Sequence, residues 1–467
     1  MNFFRCVAVG VVWVFVGGVA ADVRLPRVLS SHMVLQRDKP VNLWGWADPG
    51  EQVTASFGRA KVSATAGDDG RWKLQLPAQK TSNRPQSLKV SGKNQLELTD
   101  VLVGEVWLCS GQSNMEWRMT QSQHKGEEIP KADHPRIRLF AIAKRKAKTP
   151  QDDTPHDWTA CTPQTVASFS AVGYHFGQAL HRELKVPIGL VQAAWGGTQI
   201  EPWTPSIGLE MVETLKSQAK SGNGGIYNGM IHPLAPLTMR GAIWYQGESN
   251  CLKGDTTIYM DRTRALVGGW RKVFGQDDLS FYFVQIAPFT YVKAFAKRNK
   301  NLTVESLPRF WEAQAACLEA VPHSGMVVVT DITGNVGNIH PPNKRDVGHR
   351  LARWALAKNY GRKYLAYSGP MYKSMKTEGS KVRLDFEHVT KGLSALDGKP
   401  LTHFTVAGAD RKFVEAKAVI RGKTVEVSSD QVKAPVAVRF GWHETAIGNL
   451  GNKAGLPAAP FRTDDWE

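Results

Sequence analysis

The chain has 467 residues, 42% of them hydrophobic and 22% charged, and a formal net charge of +17. That length exceeds what a single hydrophobic core serves, so two or three domains are expected, and the ordinary composition excludes a disordered or fibrous chain. The basic residues are spread along the whole sequence, with one dense cluster (Lys144, Arg145, Lys146, Lys148) and no nucleic-acid-binding motif, so they read as a solvated basic exterior and no nucleic-acid partner is expected.

Residues 1–21 carry one charge, Arg5, followed by an apolar run from Cys6 to Ala21, with Val19 and Ala21 at the spacing of a signal-peptidase site. The run is shorter than the ~20 apolar residues that a membrane span needs, and no basic stop-transfer cluster follows it. A cleaved signal peptide over 1–21 is expected, and with it an exported chain without a membrane span.

Over 22–102, VNLWGWAD, QVTASFG, RWKLQLPA, QSLKV and NQLELTD alternate apolar and polar residues between Pro-Gly, Asp-Gly and Ser-Gly turns. This pattern predicts a small antiparallel β domain of sandwich type. From 103 to 360 the pattern changes. The apolar strands EVWLC, RIRLFAI, IGLVQAA, GAIWY, FYFVQIA and GMVVVT alternate with helical stretches, which predicts an α/β domain built on a mostly parallel sheet. Its last helix opens at Asn343, an N-cap with Asp346 three residues on, and its buried stripe is Val347, Leu351, Trp354 and Ala355. Short strands return over 361–467 and predict a second, C-terminal β domain. Two stretches read as surface loops, 144–156 and 292–308, the latter with an Asn-Leu-Thr sequon at Asn301.

Beyond the signal the cysteines are Cys109, Cys161, Cys251 and Cys317. Four thiols in so long a chain do not make a disulfide scaffold, and no CxxC pair or His/Cys cluster has zinc-ligand spacing. Neither a metal nor another cofactor is expected.

Three turns stand at the carboxyl ends of predicted strands, the edge of an open α/β sheet where ligands bind. EVWLCSGQSNMEW sets Ser113 on a Ser-Gly-Gln turn at the start of a helix, with Gly111 giving the turn its tightness and a close approach for substrate. There a hydroxyl is placed to attack a carbonyl, and helix-end N–H groups can receive the charge that results. A serine in that place is more often a helix cap. VQAAWGGTQIEPW puts Gly196 and Gly197 after another strand, and AIWYQGESN puts Gln246, Glu248, Ser249 and Asn250 after a third. The base is expected to be a histidine. His175 and His181 fall inside a helical pattern, and His388, His403 and His443 fall among the C-terminal strands. His340, in the Gly/Pro-rich loop GNVGNIHPPNK after GMVVVT, lies on the same sheet edge as Ser113.

Taken together, GQSNM, Trp-Gly-Gly-Thr, Gln-Gly-Glu-Ser-Asn and Ile-His-Pro resemble the sialate O-acetylesterase branch of the SGNH hydrolases, and related acetylxylan esterases share several of these blocks. SHMVLQRDKPVNLWGWADPGE and the Asn-Lys that follows His340 fit the same branch, so the resemblance runs from about Arg27 to Tyr360. It implies an SGNH-like parallel-sheet domain between two β domains. It also implies serine-dependent removal of acetyl groups from an O-acetylated glycan, with Ser113 as nucleophile and His340 as base. The oxyanion hole would combine the N–H groups of Ser113 and Gly197 with a side-chain amide, Gln246 first and Asn250 second.

One position departs from the family. The acid expected three residues before the histidine is Gly337 here. Glu248 is then the first candidate to orient His340 and Asp331 the second. A third arrangement has a backbone carbonyl in that role and Glu248 as a structural acid bonded to the Ser113 turn. Trp195, Trp203 and Tyr245 flank the expected site as candidate sugar-stacking surfaces, although aromatic residues in such strands are more often core. Acetylated xylan or pectin is the alternative substrate, and a glycan-binding protein without catalysis is the alternative from another class.

Overall fold

The structure is a computed structural model and describes residues 22–221 and 224–466; the expected signal peptide lies outside the described residues. Strands β1 (Gln95–Gly111), β2 (His134–Ala141), β3 (Ile188–Ala194), β4 (Gly241–Tyr245), β5 (Ser280–Val284) and β6 (Ser324–Val327) form the central sheet in the order β6-β5-β4-β1-β3-β2. Every pair in that row is parallel, and the short strand Thr159–Cys161 closes the β2 edge antiparallel. A parallel sheet is covered on both faces, which is why these strands read as continuous apolar runs; all five residues of β4 and of β5 are buried.

Helices α1 (Ser113–Glu116), α2 (Ala171–Leu184), α3 (Glu248–Lys253), α4 (Tyr259–Phe274), α5 (Ser306–Ala320) and α6 (Lys344–Lys358) connect and cover the strands. Asn343 caps α6 by accepting from the Asp346 N–H at 3.2 Å, and the predicted stripe Val347, Leu351, Trp354 and Ala355 is buried. His175 lies inside α2; burial pushes it down to about 3, so it is a neutral core residue. Cys109, Cys161, Cys251 and Cys317 are buried free thiols. Among the described residues no helix is long and apolar enough to cross a membrane.

The two flanking β regions join the sheet differently. The N-terminal strands form two layers: Val41–Trp46 with Arg71–Leu76, and Gln52–Phe57 with Ala60–Thr65 and Ser82–Ser91. Ser82–Ser91 also pairs with the first half of β1, and the second half of β1 runs between β3 and β4 in the central sheet. The boundary expected at 102/103 therefore falls inside one 17-residue strand, and a single buried core extends from Val23 through the α/β layers. The C-terminal strands enclose a core of their own, from Val382 to Phe461, and ion pairs such as Arg439–Glu305 (2.8 Å) and Arg462–Glu312 (2.9 Å) tie this region to α5 and the residue before it.

Candidate active site

The carboxyl ends of β1, β3 and β4 meet at an open cleft of about 630 Å³ whose wall includes Ser113, Gly197 and His340. Ser113 is the first residue of α1, separated from β1 by Gln112 alone. This strand-to-helix turn needs Gly111: its φ is +138°, and a Cβ there would lie 2.2 Å from the Tyr245 carbonyl oxygen. The close approach that Gly111 allows is to the neighbouring strand β4.

His340 reaches Ser113 from the loop between β6 and α6. Its Nε2 lies 2.8 Å from Ser113 Oγ, the distance of a nucleophile–base pair. The ring stacks on Trp117 with centroids 4.9 Å apart and planes 24° from parallel, and the His340 N–H donates to Asn338 Oδ1 at 3.0 Å. Burial and, after it, the field of Lys344 hold the imidazole below its ordinary proton affinity. No acceptor among the described residues meets Nδ1.

Neither expected carboxylate orients that nitrogen. Glu248 opens α3, is buried, and accepts from Asn114 Nδ2, while its Oε2 is buried without a partner. It is the acid bonded to the Ser113 turn. Asn114 Nδ2 also donates to the Ile339 carbonyl at 3.1 Å, so Glu248 bears on the histidine loop only through Asn114. Burial raises the Glu248 carboxyl above its ordinary value, against the opposing Asn114 hydrogen bond and the charge of Lys344. Asp331 makes two hydrogen bonds to the Arg350 guanidinium, at 2.7 and 2.6 Å, and ties its loop to α6.

The glycine turn after β3 abuts the nucleophile. Glu116 of α1 accepts from the Gly196 N–H at 2.7 Å, and a Cβ on Gly196 would lie 3.2 Å from Ser113 Cβ. Gly197 has φ +74° and open space where a Cβ would stand. Of the amides expected to complete an oxyanion hole, neither faces the cleft. Gln246 is fully buried, donating to Asn250 Oδ1 at 2.6 Å and the Thr198 carbonyl at 3.2 Å and accepting from Tyr259 Oη at 2.9 Å. Asn250 is also fully buried: Oδ1 accepts from the Ile200 N–H and from Gln246, and Nδ2 donates to Glu201 and Asp255. Every donor of both side chains is committed within the fold. An amide that does line the cleft is Gln112, beside the nucleophile. Its Oε1 accepts from the Gly247 and Ser249 N–H groups at 3.3 and 3.4 Å, and its Nε2 has no acceptor among the described residues.

The aromatic residues divide in the same way. Trp203 is fully buried, donates to Thr198 Oγ1 at 3.0 Å and packs edge-on against Trp244 at 5.9 Å. Tyr245 is fully buried beneath Lys344. Both are core residues and neither is available to a sugar. Trp195 is partly exposed, with the Lys144 and Lys146 ammonium groups 6.0 and 5.6 Å from its ring. The two expected surface loops each send a cation to the cleft wall, Lys146 and Arg298, and neither has a carboxylate partner among the described residues. Gln112, Trp117 and Lys344 are the site residues that pattern reading missed. Trp117 carried a usable signal, since it lies four residues after Ser113, on the same side of a helical turn.

A family model described as "Carbohydrate esterase, sialic acid-specific acetylesterase" matches residues 103–357. The sialate O-acetylesterase of Pongo abelii is 30% identical over 389 residues, 74% of this chain and 73% of that protein, and the human sialate O-acetylesterase is 29% identical over the same shares. The crystal structure of a carbohydrate acetylesterase from Xanthomonas citri superposes with a TM-score of 0.86 at 38% identity, covering 95% of this chain and all of that one.

Proposed function

Because this chain belongs to the sialic acid-specific acetylesterase family of carbohydrate esterases, we propose that it is an exported serine esterase that removes acetyl groups from sugars through a Ser113–His340 dyad. The observation that carries the mechanism is the 2.8 Å contact between Ser113 Oγ and His340 Nε2 in an open cleft at the carboxyl edge of the sheet. His340 Nε2 takes the Ser113 proton as Oγ attacks the acetyl carbonyl. The tetrahedral oxyanion is received by the Ser113 and Gly197 N–H groups and, in place of Gln246 or Asn250, by Gln112 Nε2. As the tetrahedral intermediate collapses and the bond from the acetyl carbon to the sugar oxygen breaks, the imidazolium gives its proton to that oxygen and the sugar leaves with a free hydroxyl. Water, deprotonated by His340, then attacks the acetyl-enzyme; acetate leaves and Ser113 Oγ recovers its proton. The face of Trp117 does part of what a triad acid would do, fixing the plane of the imidazole and facing the cation that forms.

An O-acetylated sialate is the first substrate proposed, in keeping with the relatives' activity and with Lys146 and Arg298, two cations on the cleft wall suited to a sugar carboxylate. Export rests on the apolar run Cys6–Ala21 and its Val19/Ala21 cleavage spacing. The test is acetate release from O-acetylated sialic acids, xylan and pectin by the wild type and by Ser113→Ala, together with N-terminal sequencing of the secreted chain. Release by the wild type, abolished in Ser113→Ala, is expected. No release from any acetylated glycan would leave a binding protein as the reading, and release from xylan or pectin alone would move the substrate.

A further inference from the structure

The two residues of the Asn-Lys pair after His340 are placed differently: Asn343 caps α6, whereas Lys344 is wholly buried beside the nucleophile. Its Nζ donates to Asn114 Oδ1, and the Nδ2 of that amide donates to Glu248 Oε1 and to the carbonyl of Ile339. Asn114 follows the nucleophile and Ile339 precedes the base. The same ammonium stands 5.6 Å from the Trp117 ring on which His340 stacks and 5.3 Å from the Tyr245 ring.

We propose that Lys344 is a positioning residue: through Asn114 it locks the Ser113 turn to the His340 loop, and below neutrality its ammonium favours the unprotonated form of His340 that a base requires. The inference rests on the serine-esterase reading above. A triad carboxylate raises the proton affinity of its imidazole; a cation in the same neighbourhood lowers it, and so extends the working range of the base toward acid. The groups that face Lys344 are Glu248 from α3, Tyr245 from β4 and His340 from the adjoining loop, with uncharged Asn114 from α1 and Trp117 just after it. Burial pushes the Lys344 amine down to about 7, with Glu248 opposing. The ammonium is therefore present below neutrality, where protonation of His340 would stop the reaction.

The test measures kcat and KM for p-nitrophenyl acetate against pH in the wild type, Lys344→Met and Ser113→Ala. The wild-type acid limb of kcat/KM is expected below the ordinary histidine value of about 6.5. Lys344→Met should move that limb to higher pH and lower kcat by roughly tenfold with KM little changed, because the fault lies in alignment and protonation of the base. A limb unmoved in Lys344→Met overturns the inference, as does a wild-type limb at or above the histidine value, a measurement that stands even where the variant does not fold. Activity persisting in folded Ser113→Ala would instead sink the serine reading, a distinct result.

Discussion

Two polar clusters lie at the carboxyl edge of the same sheet, and only one of them is open. Around Ser113, the hydroxyl, His340, the Gly197 backbone and the Gln112 amide line a cleft. Beneath it, Gln246, Asn250, Glu201, Asp255, Arg262 and Tyr259 bind one another, with Arg262 2.7 Å from Glu201 and both amide side chains fully buried. Gln246 follows β4 as Gln112 follows β1, but it and Asn250 of α3 are braced by Tyr259 and Arg262 of α4. The difference is in how many hydrogen-bonding groups the fold has already used: a donor committed to a buried acceptor cannot receive a developing oxyanion without breaking that bond. The closed cluster fixes the shape of the edge, and the open one is left to do chemistry.

Substitutions should separate the two by which measurement moves. Ser113→Ala should lower kcat by at least about a thousandfold and leave the melting temperature within a degree or so, because a small, partly exposed hydroxyl contributes little packing. A folded variant with most of its activity would erase the distinction at its strongest point. Gln112→Ala should lower kcat by about a hundredfold with KM altered far less, as for the loss of one oxyanion donor. Equal changes in kcat and in stability would move Gln112 into the closed cluster.

Asn250→Ala should show the reverse pattern. It strands the Ile200 N–H without its acceptor, takes one of two acceptors from the Gln246 amide, and removes one donor each from Glu201 and Asp255, which keep Arg262. A loss of about 2 kcal/mol or more in unfolding free energy is expected, with kcat within severalfold of wild type below the melting transition. A hundredfold fall in kcat at unchanged stability would return Asn250 to the oxyanion hole.

The legible and illegible parts of this molecule follow the same division. Ser113 and His340 could be read because each sits on a turn after an apolar strand, and topology alone brings parallel strand ends to one edge. Gln246 and Asn250 could not be sorted from Gln112, since which amide faces the cleft depends on rotation at the end of β4 and in α3, where neighbouring residues look alike. Trp203 and Tyr245 read as sugar-facing for the same reason, and both turn inward. The fold shows a parallel case. The change from alternating to continuous apolar residues near 102 marks a change of surroundings along β1, from a two-layer β region to a covered parallel sheet, within one strand. Lys344 was the least legible: charged side chains default to the surface, and only the assembled site shows an ammonium enclosed by Asn114, Trp117 and Tyr245.

That enclosure gives the smallest effect expected, and one that asks whether Lys344 belongs to the closed cluster or the open one. In the folded chain burial holds the amine near 7, whereas in the unfolded chain it returns to 10.5. Between those values the unfolded state binds more protons, so the contribution of Lys344 to stability rises with pH through that window and is flat below it. Lys344→Met has no such proton to release. The wild type should therefore gain on the variant, by on the order of a few degrees in melting temperature, as pH rises from about 7 toward 10, whatever constant offset the lost hydrogen bond to Asn114 adds. Thermal melts of both proteins across that range check it. Parallel curves would mean that the amine keeps its proton when folded, a permanently charged member of the closed cluster. A wild-type gain that grows across the range would mark it as a strained group held beside the base, where burial is tolerated for what the charge does to His340 below neutrality.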